Sequence, residues 1–468
     1  MAFTLLATDG LFFGLLVVAI GYAVYASKHE HLRAPWREVS GNAVAVGAAT
    51  VLAAFLIVAV LDSIHFYPRL ESGEHTKSAQ FGSEVISLFD HLVEPMRIQV
   101  EKTYSAPFAL RAFSKETIEL ENGRTTRDYP RLIYGGSRLA SIDDRRGDVV
   151  RLSLAGLLWA GLCWGVWAIL LLSAISHSQK LSIPESTRRV FSGTFRVSFR
   201  TLLGVTGILA ILVGVGASLA PHYHILGTDK VGIDVLYQSL KSIRTGLMIG
   251  TLTTLVMLPL AIVLGITAGY FRGRVDDVIQ YLYTTLSSIP GVLLIASAAL
   301  ILEVYMSKHA DSFTSLVARA DLRLLALCVI LGITSWTGLC RLLRGETLKL
   351  RQVDFVEAAR AFGVSHTTIL MRHMVPNIMH IVMISIVLDF SGLVLAEAVL
   401  SYINIGVDPS MESWGNMINS ARLELAREPV VWWSLLAALA FMFVLVLAAN
   451  LFADAVRDAF DPRLRVIN

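Results

Sequence analysis

The chain alternates between long apolar stretches and short polar, mostly basic connections. A helix that spans a bilayer needs about 20 apolar residues. Stretches of about this length lie at 10–27, 43–61, 151–175, 198–219, 245–269, 285–305, 322–341, 376–400 and 431–453. The pattern predicts an all-α polytopic membrane protein with nine spans. The first stretch has no basic residue before it and basic residues after it, so we interpret it as a retained span rather than a signal peptide.

One long polar segment, 62–150, separates the second and third spans. It has 14 acidic residues, 12 basic residues and four prolines, a composition typical of a small water-exposed subdomain. Residues 117–121 and 124–129 flank an Asn-Gly pair and predict a hairpin with a type I′ turn. Residues 84–104 have helical apolar spacing, although Pro95 would break or kink a helix there. The subdomain could contact an extracytoplasmic partner, cover the mouth of a pore or stabilise the assembly.

The composition agrees with a protein embedded in lipid. Of the 468 residues 54% are hydrophobic and 16% are charged, whereas soluble domains have about 25% charged residues. The three cysteines and twelve histidines form no metal-ligand or disulfide spacing. The sequence contains neither a Walker A motif nor the motifs HExxH and GxSxG. We therefore expect no enzyme activity, metal or cofactor in this chain alone, and nothing indicates a nucleic-acid partner.

Basic residues are concentrated in particular connections. They occur at 28–37, 177–197, 272–274, 341–372 and 457–465. Short loops rich in lysine and arginine stay in the cytoplasm, whereas long loops are exempt from this rule. The distribution predicts an N-terminus outside, a C-terminus in the cytoplasm and segment 62–150 outside.

The polar loop 353–377 reads as two short helices separated by a glycine. Asp354 is expected to cap the first helix and to form a capping box with Glu357. Gly363 suits the position after the helix, where φ is positive, and Ser365 can cap the second helix. Pro376 is expected to end or kink that second helix. Such a compact unit between two spans is typical of a docking element for a cytoplasmic partner.

This loop also resembles a known family. Its matching residues are Glu357, Ala358, Ala359, Gly363, His373, Met374, Val375 and Pro376. In this order they resemble the EAA loop of the permease subunits of ABC importers. Arg372, His373, Pro376 and Asn377 resemble the dipeptide/oligopeptide/nickel branch, in particular its DppC/OppC type. The Glu-Ala-Ala triplet alone would also suit an ordinary amphipathic loop helix.

Further segments resemble the same family in the same order. Segment 226–236, called the signature loop below, resembles the pattern GTD-x-x-GRDVL through Gly227, Thr228, Asp229, Gly232 and Asp234. Segments 269–276, 288–290, 397–407, 413–415 and 457–463 resemble other family motifs. Ile233 replaces the usual arginine, which puts any ion pair of that arginine in doubt.

The signature loop also makes a local structural prediction. Asp234 can cap the helix that follows it. Leu236, Leu240, Ile243 and Leu247 give that helix an apolar stripe, which predicts a helix lying along the membrane.

The resemblance implies a six-span permease core preceded by three extra spans. The predicted divisions are 1–61 (two spans), 62–150 (extracytoplasmic subdomain), 151–197 (third span and basic linker) and 198–468 (core with the loop 353–377). The implied partners are a second homologous permease, two cytoplasmic ATPases carrying ATP and magnesium, and an extracytoplasmic solute-binding protein. The implied solute is a peptide or a peptide-like compound. Glu357 would face the ATPase, or would serve only as a cap.

Two acidic residues fall in the eighth predicted span. Asp389 and Glu397 could line the solute path, since ionisable residues within membranes are often functional. The alternatives are a hydrogen bond to a neighbouring span for Asp389 and a structural role for Glu397. Segment 411–429 predicts either an in-plane helix anchored by Trp414 at the membrane interface or a solvated loop.

A secondary transporter is the main alternative function. Such a protein would also have many spans, but it would show internal repeats, of which we find none that is convincing, and would not need the loop 353–377.

Overall fold

The computed structural model describes residues 2–68, 82, 85–119, 125–309 and 315–460. The helices are α1 Ala7–Lys28, α2 Glu30–Gly41, α3 Ala43–Asp62, α4 Leu88–Leu92, α5 Glu94–Ile98, α6 Arg145–Gln179, α7 Ile183–Ser192, α8 Phe199–Leu219, α9 Val235–Phe271, α10 Gly273–Ser288, α11 Gly291–Lys308, α12 Leu316–Leu350, α13 Asp354–Ala361, α14 His366–Ile369, α15 Val375–Tyr402, α16 Trp414–Glu424 and α17 Trp433–Phe460. The strands are β1 Ala2–Thr4, β2 His65–Tyr67, β3 Ile86–Ser87, β4 Glu116–Glu119 and β5 Thr125–Asp128.

Within these described residues, eight helical segments are long and apolar enough to span a membrane. They are α1, α3, α6, α8, α9, α11, α17 and the segment His366–Tyr402, which contains α14 and α15. The predicted all-α membrane class is confirmed. The remaining predicted span, 322–341, falls inside α12, which is helical throughout but is not among the eight. The count of nine spans and the orientation derived from it stay predictions.

The chain divides into two compact units that alternate along the sequence. Unit 1 comprises Met1–Thr4, Trp36–Thr245 and Glu412–Ala448, and unit 2 comprises Leu5–Pro35, Gly246–Met411 and Ala449–Asn468. The division by sequence segments given above stays a prediction.

Unit 1 contains the described part of the polar segment 62–150. Strands β1, β2 and β3 form an antiparallel sheet, in which Phe66 pairs with Phe3 and with Ile86. Strands β4 and β5 pair from Glu116↔Asp128 to Glu119↔Thr125. The predicted hairpin is therefore confirmed, while its predicted turn at 122–123 lies outside the described residues.

The helical spacing at 84–104 does not produce one continuous helix, and the break expected at Pro95 is confirmed. The chain instead makes the one-turn helices α4 and α5, and α4 is capped by Ser87, whose hydroxyl accepts a hydrogen bond from the amide of Asp90 at 3.0 Å. Pro95 lies in the first turn of α5, the helical position where its missing N–H costs least. A proline there stops α4 from continuing into α5, which explains the break.

The spanning helices of unit 1 pack closely where their residues are small. Gly156 of α6 lies against Gly214 and Ser218 of α8, and a Cβ atom added at Gly156 would lie 2.6 Å from the carbonyl oxygen of Gly214. The hydroxyl of Ser218 donates to the carbonyl of Leu152 at 2.9 Å. Small residues at a helix crossing allow this close approach of two backbones in a membrane.

Unit 2 is organised around α12. Its residues Leu324, Cys328, Leu331 and Leu343 are fully or almost fully buried. The first span, α1, packs within this unit, where the amide of Thr8 donates to Asp321 of α12 at 3.2 Å and the Thr8 hydroxyl binds the same carboxylate. An apolar cluster gathers the ends of α9, α10 and α12 with α13 and α14.

Candidate functional site

Helix α13 begins at Asp354, so Asp354 is its first helical residue and not its N-cap. The N-cap residue is Val353, whose backbone is extended and whose side chain offers no hydrogen bond to the helix. Asp354 and Glu357 both lie in the first helical turn and are exposed. The predicted capping box is wrong, because Asp354 already has helical geometry and cannot turn its carboxylate back on its own turn. Both carboxylates still interact favourably with the helix dipole.

The end of α13 follows the prediction. Gly363 has a φ of +72°, the left-handed conformation that glycine adopts without strain. Its amide donates to the carbonyl of Arg360, and the amide of Val364 donates to the carbonyl of Ala359, both at 3.0 Å. This pair of bonds is a Schellman motif, which satisfies the last carbonyls of α13 and turns the chain towards α14.

The second helix begins as predicted but does not end at Pro376. Ser365 caps α14 and accepts a hydrogen bond from the amide of Thr368 at 3.3 Å. A π-helical turn, Leu370–Met374, then joins α14 to α15, and the amide of Val375 donates to the carbonyl of Leu370. The wider turn makes room for the ring of Pro376, which would clash with a carbonyl in a regular α-helix. The helix therefore continues past Pro376, with its regular α-helical pattern interrupted by the π turn. Of the two predicted outcomes, an end or a kink, the end is wrong.

The loop 353–377 has one buried side and one exposed side. Val356 of α13 and Ile369 of α14 are completely buried in the apolar cluster of unit 2. Glu357 and Ala358 are exposed, and the side chain of Phe362 is 87% exposed. The loop is thus anchored by apolar contacts while its acidic and alanine-rich surface remains accessible to a partner.

The other predicted residues of this loop lie at its second end. The ring of His373 lies 5.9 Å from that of Phe355, measured between ring centroids. Asn377 donates from Nδ2 to the carbonyl of His373 at 2.6 Å, and Pro376 is exposed. His373 and Asn377 therefore stabilise the junction between the π turn and α15.

Two supporting contacts could not be recognised in the sequence. Arg344 of α12 binds Asp276 of α10 through two hydrogen bonds, from Nε at 2.5 Å and from Nη2 at 2.7 Å. Hydrogen bonding to Arg344 lowers the pKa of the Asp276 carboxyl. The hydroxyl of Tyr270 lies 2.7 Å from Nδ1 of His366, the first residue of α14. Asp276 and Arg344 are 68 residues apart in the sequence, and Tyr270 and His366 are 96 apart, so no local pattern identifies either pair.

The signature loop forms a tight turn in unit 1. Gly227 and Gly232 have φ values of +74° and +82°. Asp229 accepts hydrogen bonds from the amides of Val231 and Ile233, both at 2.9 Å, which closes the turn between the two glycines. These contacts explain glycine and aspartate at these positions by backbone geometry alone.

Asp234 caps α9 as predicted. Its Oδ1 accepts from the amides of Leu236 at 2.8 Å and Tyr237 at 3.1 Å. Its Oδ2 lies 2.8 Å from Nδ1 of the buried His224. On the other side of the ring, Nε2 of His224 lies 3.4 Å from the carboxylate of Glu101. A histidine missed by the sequence analysis thus joins two buried carboxylates.

The protonation of this triad follows from its contacts. Burial alone would lower the pKa of His224, but its hydrogen bond to Asp234 and the negative charges of Asp234 and Glu101 outweigh burial and raise the pKa to about 9. Burial would likewise raise the pKa of Glu101, but the contact with His224 and hydrogen bonds from the amides of Gly135, Ile133 and Tyr134 lower it to about 2. At neutral pH the histidine is a cation between two anions.

Ile233 has an apolar role here. It packs with Met96 and Tyr237 in a small buried cluster, and the cation that faces Asp234 is His224.

The helix after the signature loop differs from its prediction. No separate helix lies along the membrane, because α9 runs continuously from Val235 to Phe271. Ile243 and Leu247 are buried, so the apolar stripe packs inside the protein.

Several contacts hold segment 62–150 to this region of unit 1. Nζ of Lys241 in α9 lies 2.7 Å from the carboxylate oxygens of Asp90. Thr228 accepts from the amide of Ser105 at 2.7 Å and donates to the carbonyl of Thr103 at 2.9 Å. These contacts join the residues around Asp90, Thr103 and Ser105 to the signature loop and to α9, which favours the stabilising role for the segment.

Comparison with known proteins identifies the family to which these loops belong. Residues 261–466 match the family described as "Binding-protein-dependent transport system inner membrane component". The chain is 32% identical over 242 residues to the glutathione transport system permease protein GsiD of Pectobacterium atrosepticum, an alignment that covers 52% of this chain and 73% of the relative. The chain belongs to this permease family.

Other relatives agree with this assignment. The dipeptide transport system permease protein DppC of Lactococcus lactis is 30% identical over 240 residues, covering 51% of this chain and 64% of the relative. The oligopeptide transport system permease protein OppC of Haemophilus influenzae is 29% identical over 243 residues, covering 52% and 71%. This permease is therefore a multi-pass inner-membrane component of an ABC importer of the peptide branch, and it works with ATPase and solute-binding partners. The family assignment favours this function over a secondary transporter, and its relatives are transport permeases rather than enzymes.

The two acidic residues of α15 in this permease have different surroundings. Glu397 is 2% exposed and accepts a hydrogen bond from the hydroxyl of Ser401 at 2.7 Å, which favours its structural role. Asp389 is half-buried, and it makes no hydrogen bond or ion pair to the residues that the structure describes. The structure therefore does not bring the two carboxylates into one site.

The region after α15 corrects one prediction and contains a non-glycine residue with a positive φ. Trp414 opens α16 but is only 1% exposed, and its Nε1 donates to the carbonyl of Ser239 at 3.1 Å, so it is a buried packing residue and no interfacial anchor. Asn404, which follows the end of α15, has a φ of +61°. Asparagine is the residue that best tolerates this conformation after glycine.

Proposed function

We propose that this permease forms half of a translocation path for peptides or peptide-like solutes and is driven by ATPases that dock on the loop 353–377. The observation that carries the proposal is the asymmetric burial of α13, which is anchored through Val356 and presents Glu357 and Ala358 to the outside. In this proposal the loop is cytoplasmic, with the N-terminus outside. The solute class is supported by the glutathione, dipeptide and oligopeptide permeases among the relatives.

The proposed assembly contains this chain, a homologous second permease, two cytoplasmic ATPases and an extracytoplasmic binding protein. ATP and magnesium would be bound by the ATPases alone. Closure of the ATPases would move α13 and α14 as a unit, and the apolar cluster would carry that movement to α9, α10 and α12. Coupling of this kind needs two states with different contacts in each, which a docked rigid helix can provide.

Glu357 is the residue in α13 that we assign to partner contact. It makes no capping hydrogen bond, so its contribution within the chain is limited to the helix dipole, about 0.3–1 kcal/mol. An exposed carboxylate beside a smooth alanine surface suits a groove lined by donors on the ATPase.

Replacing Glu357 by Gln tests this assignment in proteoliposomes that contain the whole importer. We expect solute-stimulated ATP hydrolysis to fall about tenfold, because a hydrogen bond to a charged group contributes about 1.5–3 kcal/mol. The matched control is Asp354→Asn, which removes a charge from the same helical turn and should change the rate less than about twofold. Equal effects of the two substitutions would mean that Glu357 acts only on the helix.

For the solute path we propose Asp389 as a lining residue. It is supported by its half-buried position in a spanning helix, where a carboxylate is costly unless a partner or solute compensates it. Glu397 would then be a structural neighbour, as its bond to Ser401 indicates.

A further inference from the structure

A side-chain hydrogen bond joins the loop 353–377 to the spanning helix α9. The hydroxyl of Tyr270, in the last turn of α9, lies 2.7 Å from Nδ1 of His366. In the described part of the chain this is the only side-chain hydrogen bond between the loop and the residues outside it. Tyr270 is 3% exposed, so the bond is shielded from water at its tyrosine end.

The rings around this bond restrict its geometry further. The rings of Tyr270 and His366 meet edge to face, with centroids 5.6 Å apart. The ring of Phe271 contacts the same imidazole at 5.8 Å. His366 is also the first residue after the N-cap Ser365, so the start of α14 is fixed to the end of α9. A change in the direction of α14 must therefore move Tyr270 or break the bond.

The other anchors of the loop act differently. Val356, Ile369 and Met374 are buried in an apolar cluster, and apolar contacts have no preferred direction. A hydrogen bond, in contrast, weakens steeply when its distance or angle changes. The Tyr270–His366 bond therefore adds a directional restraint on α14 to the packing contacts that the cluster provides.

We propose that Tyr270 and His366 are positioning residues that transmit movement of the loop 353–377 to α9. This inference rests on the proposed docking function of the loop. Neither residue would touch solute or nucleotide; each would act by keeping the second loop helix and the end of α9 in one rigid arrangement. Loss of the bond would allow the loop to follow the ATPases while α9 lags behind. The expected defect is ATP hydrolysis without matching solute transport.

The test uses the complete importer in proteoliposomes and measures solute transported per ATP hydrolysed. For Tyr270→Phe, which removes only the hydroxyl, we expect assembly and basal hydrolysis to be retained and the transport ratio to fall about fivefold, the size expected for one lost hydrogen bond. His366→Ala should cause the same loss. His366→Asn, whose amide can replace Nδ1, should restore most of the ratio. The matched control is Tyr283→Phe, because Tyr283 is buried in the same cluster and its hydroxyl makes no hydrogen bond to the described residues.

The outcomes separate this inference from the proposed function. An unchanged ratio in both Tyr270→Phe and His366→Ala, with Glu357→Gln still impaired, would overturn the positioning role and leave the docking role intact. A normal ratio in all three variants would overturn both. An equal loss in Tyr283→Phe would show that the cluster, not the hydrogen bond, transmits the movement. A loss in Tyr270→Phe and His366→Ala, with recovery in His366→Asn, would support the proposal.

Discussion

The buried triad in unit 1 gives the most quantitative prediction. His224 lies between the carboxylates of Asp234 and Glu101, with its own side chain 3% exposed. His224→Gln preserves a polar side chain of similar length but removes the positive charge. The buried carboxylates of Asp234 and Glu101 would then have no cation between them, and a buried charge without a partner strongly destabilises a folded protein.

The structure allows the magnitude to be worked out. The pKa of His224 is about 9 in the folded protein, where its hydrogen bond to Asp234 and its contact with the Glu101 carboxylate outweigh burial, against 6.5 for a free histidine. This difference corresponds to about 3 kcal/mol of stabilisation by the protonated form. Removing one partner of a buried ion pair costs about 3–5 kcal/mol, which is the same range. We therefore expect His224→Gln to destabilise this region by about 3 kcal/mol.

The sign of the pH dependence follows from the direction of each change. Because the folded pKa of His224 lies above its unfolded value, its contribution is complete below about pH 6.5 and is lost as the pH rises through about 9. The folded pKa of Glu101 lies below its unfolded value of 4.5, so its contribution is lost only as the pH falls towards about 2. The triad should therefore stabilise unit 1 most between about pH 4.5 and 6.5.

Thermal unfolding of the permease in nanodiscs measures both effects. The wild type should lose stability between pH 6.5 and about 9.5, whereas His224→Gln should start lower and show little change over this range. His91→Gln is the control, because His91 is half-exposed and its contacts are a 3.9 Å approach to the Glu94 carboxylate and an edge-to-face contact with the ring of Phe66. A flat wild-type profile, or a loss below about 1 kcal/mol in His224→Gln, would refute the reasoning.

Two further predictions concern glycines. Gly363→Ala should destabilise the loop by about 1–2 kcal/mol through its positive φ alone, since no atom lies within 4 Å of the added Cβ. Limited proteolysis of the loop should therefore become faster. The control Gly345→Ala, at a position in α12 with equally open space, should leave the proteolysis rate unchanged. Gly156→Ala should lower the free energy of unfolding by about 1–3 kcal/mol by forcing α6 and α8 apart. Thermal unfolding should show this loss for Gly156→Ala and no loss for Gly161→Ala on the same helix. Equal effects of Gly363→Ala and Gly345→Ala, or of Gly156→Ala and Gly161→Ala, would contradict the contacts described for these glycines.

The parts of the structure that were predicted correctly depend on local signals. Gly363 and Ser365 determine their turns through backbone conformation and a hydrogen bond three residues away. Asp234 caps α9 for the same reason. Such signals need no knowledge of the remaining chain, so the sequence alone was sufficient for them.

The errors arise where tertiary contacts decide between local alternatives. Residue type favours Asp354 as the N-cap, but the extended Val353 takes that position. Pro376 favours an end or a kink, and the π turn before it lets the helix continue without the clash. Trp414 has the amphipathic character of an interfacial residue, but α16 packs it against Ser239. Each choice depends on where distant segments place the backbone.

The contacts missed altogether join residues far apart in sequence. His224 and Glu101 are 123 residues apart, as are Ser105 and Thr228, and Tyr270 and His366 are 96 apart. A lone histidine in a loop gives no sign that it will be buried between two carboxylates. Only the three-dimensional arrangement shows that segment 62–150 is bound to the signature loop.

The most direct test of the central claim is to purify the tagged chain from its native cells in mild detergent and identify the proteins that remain bound. We expect recovery of a second permease and of ATPase subunits, and loss of the ATPases when residues 357–363 are scrambled. A chain that is recovered alone, and that transports solute in proteoliposomes without ATP, would contradict that claim.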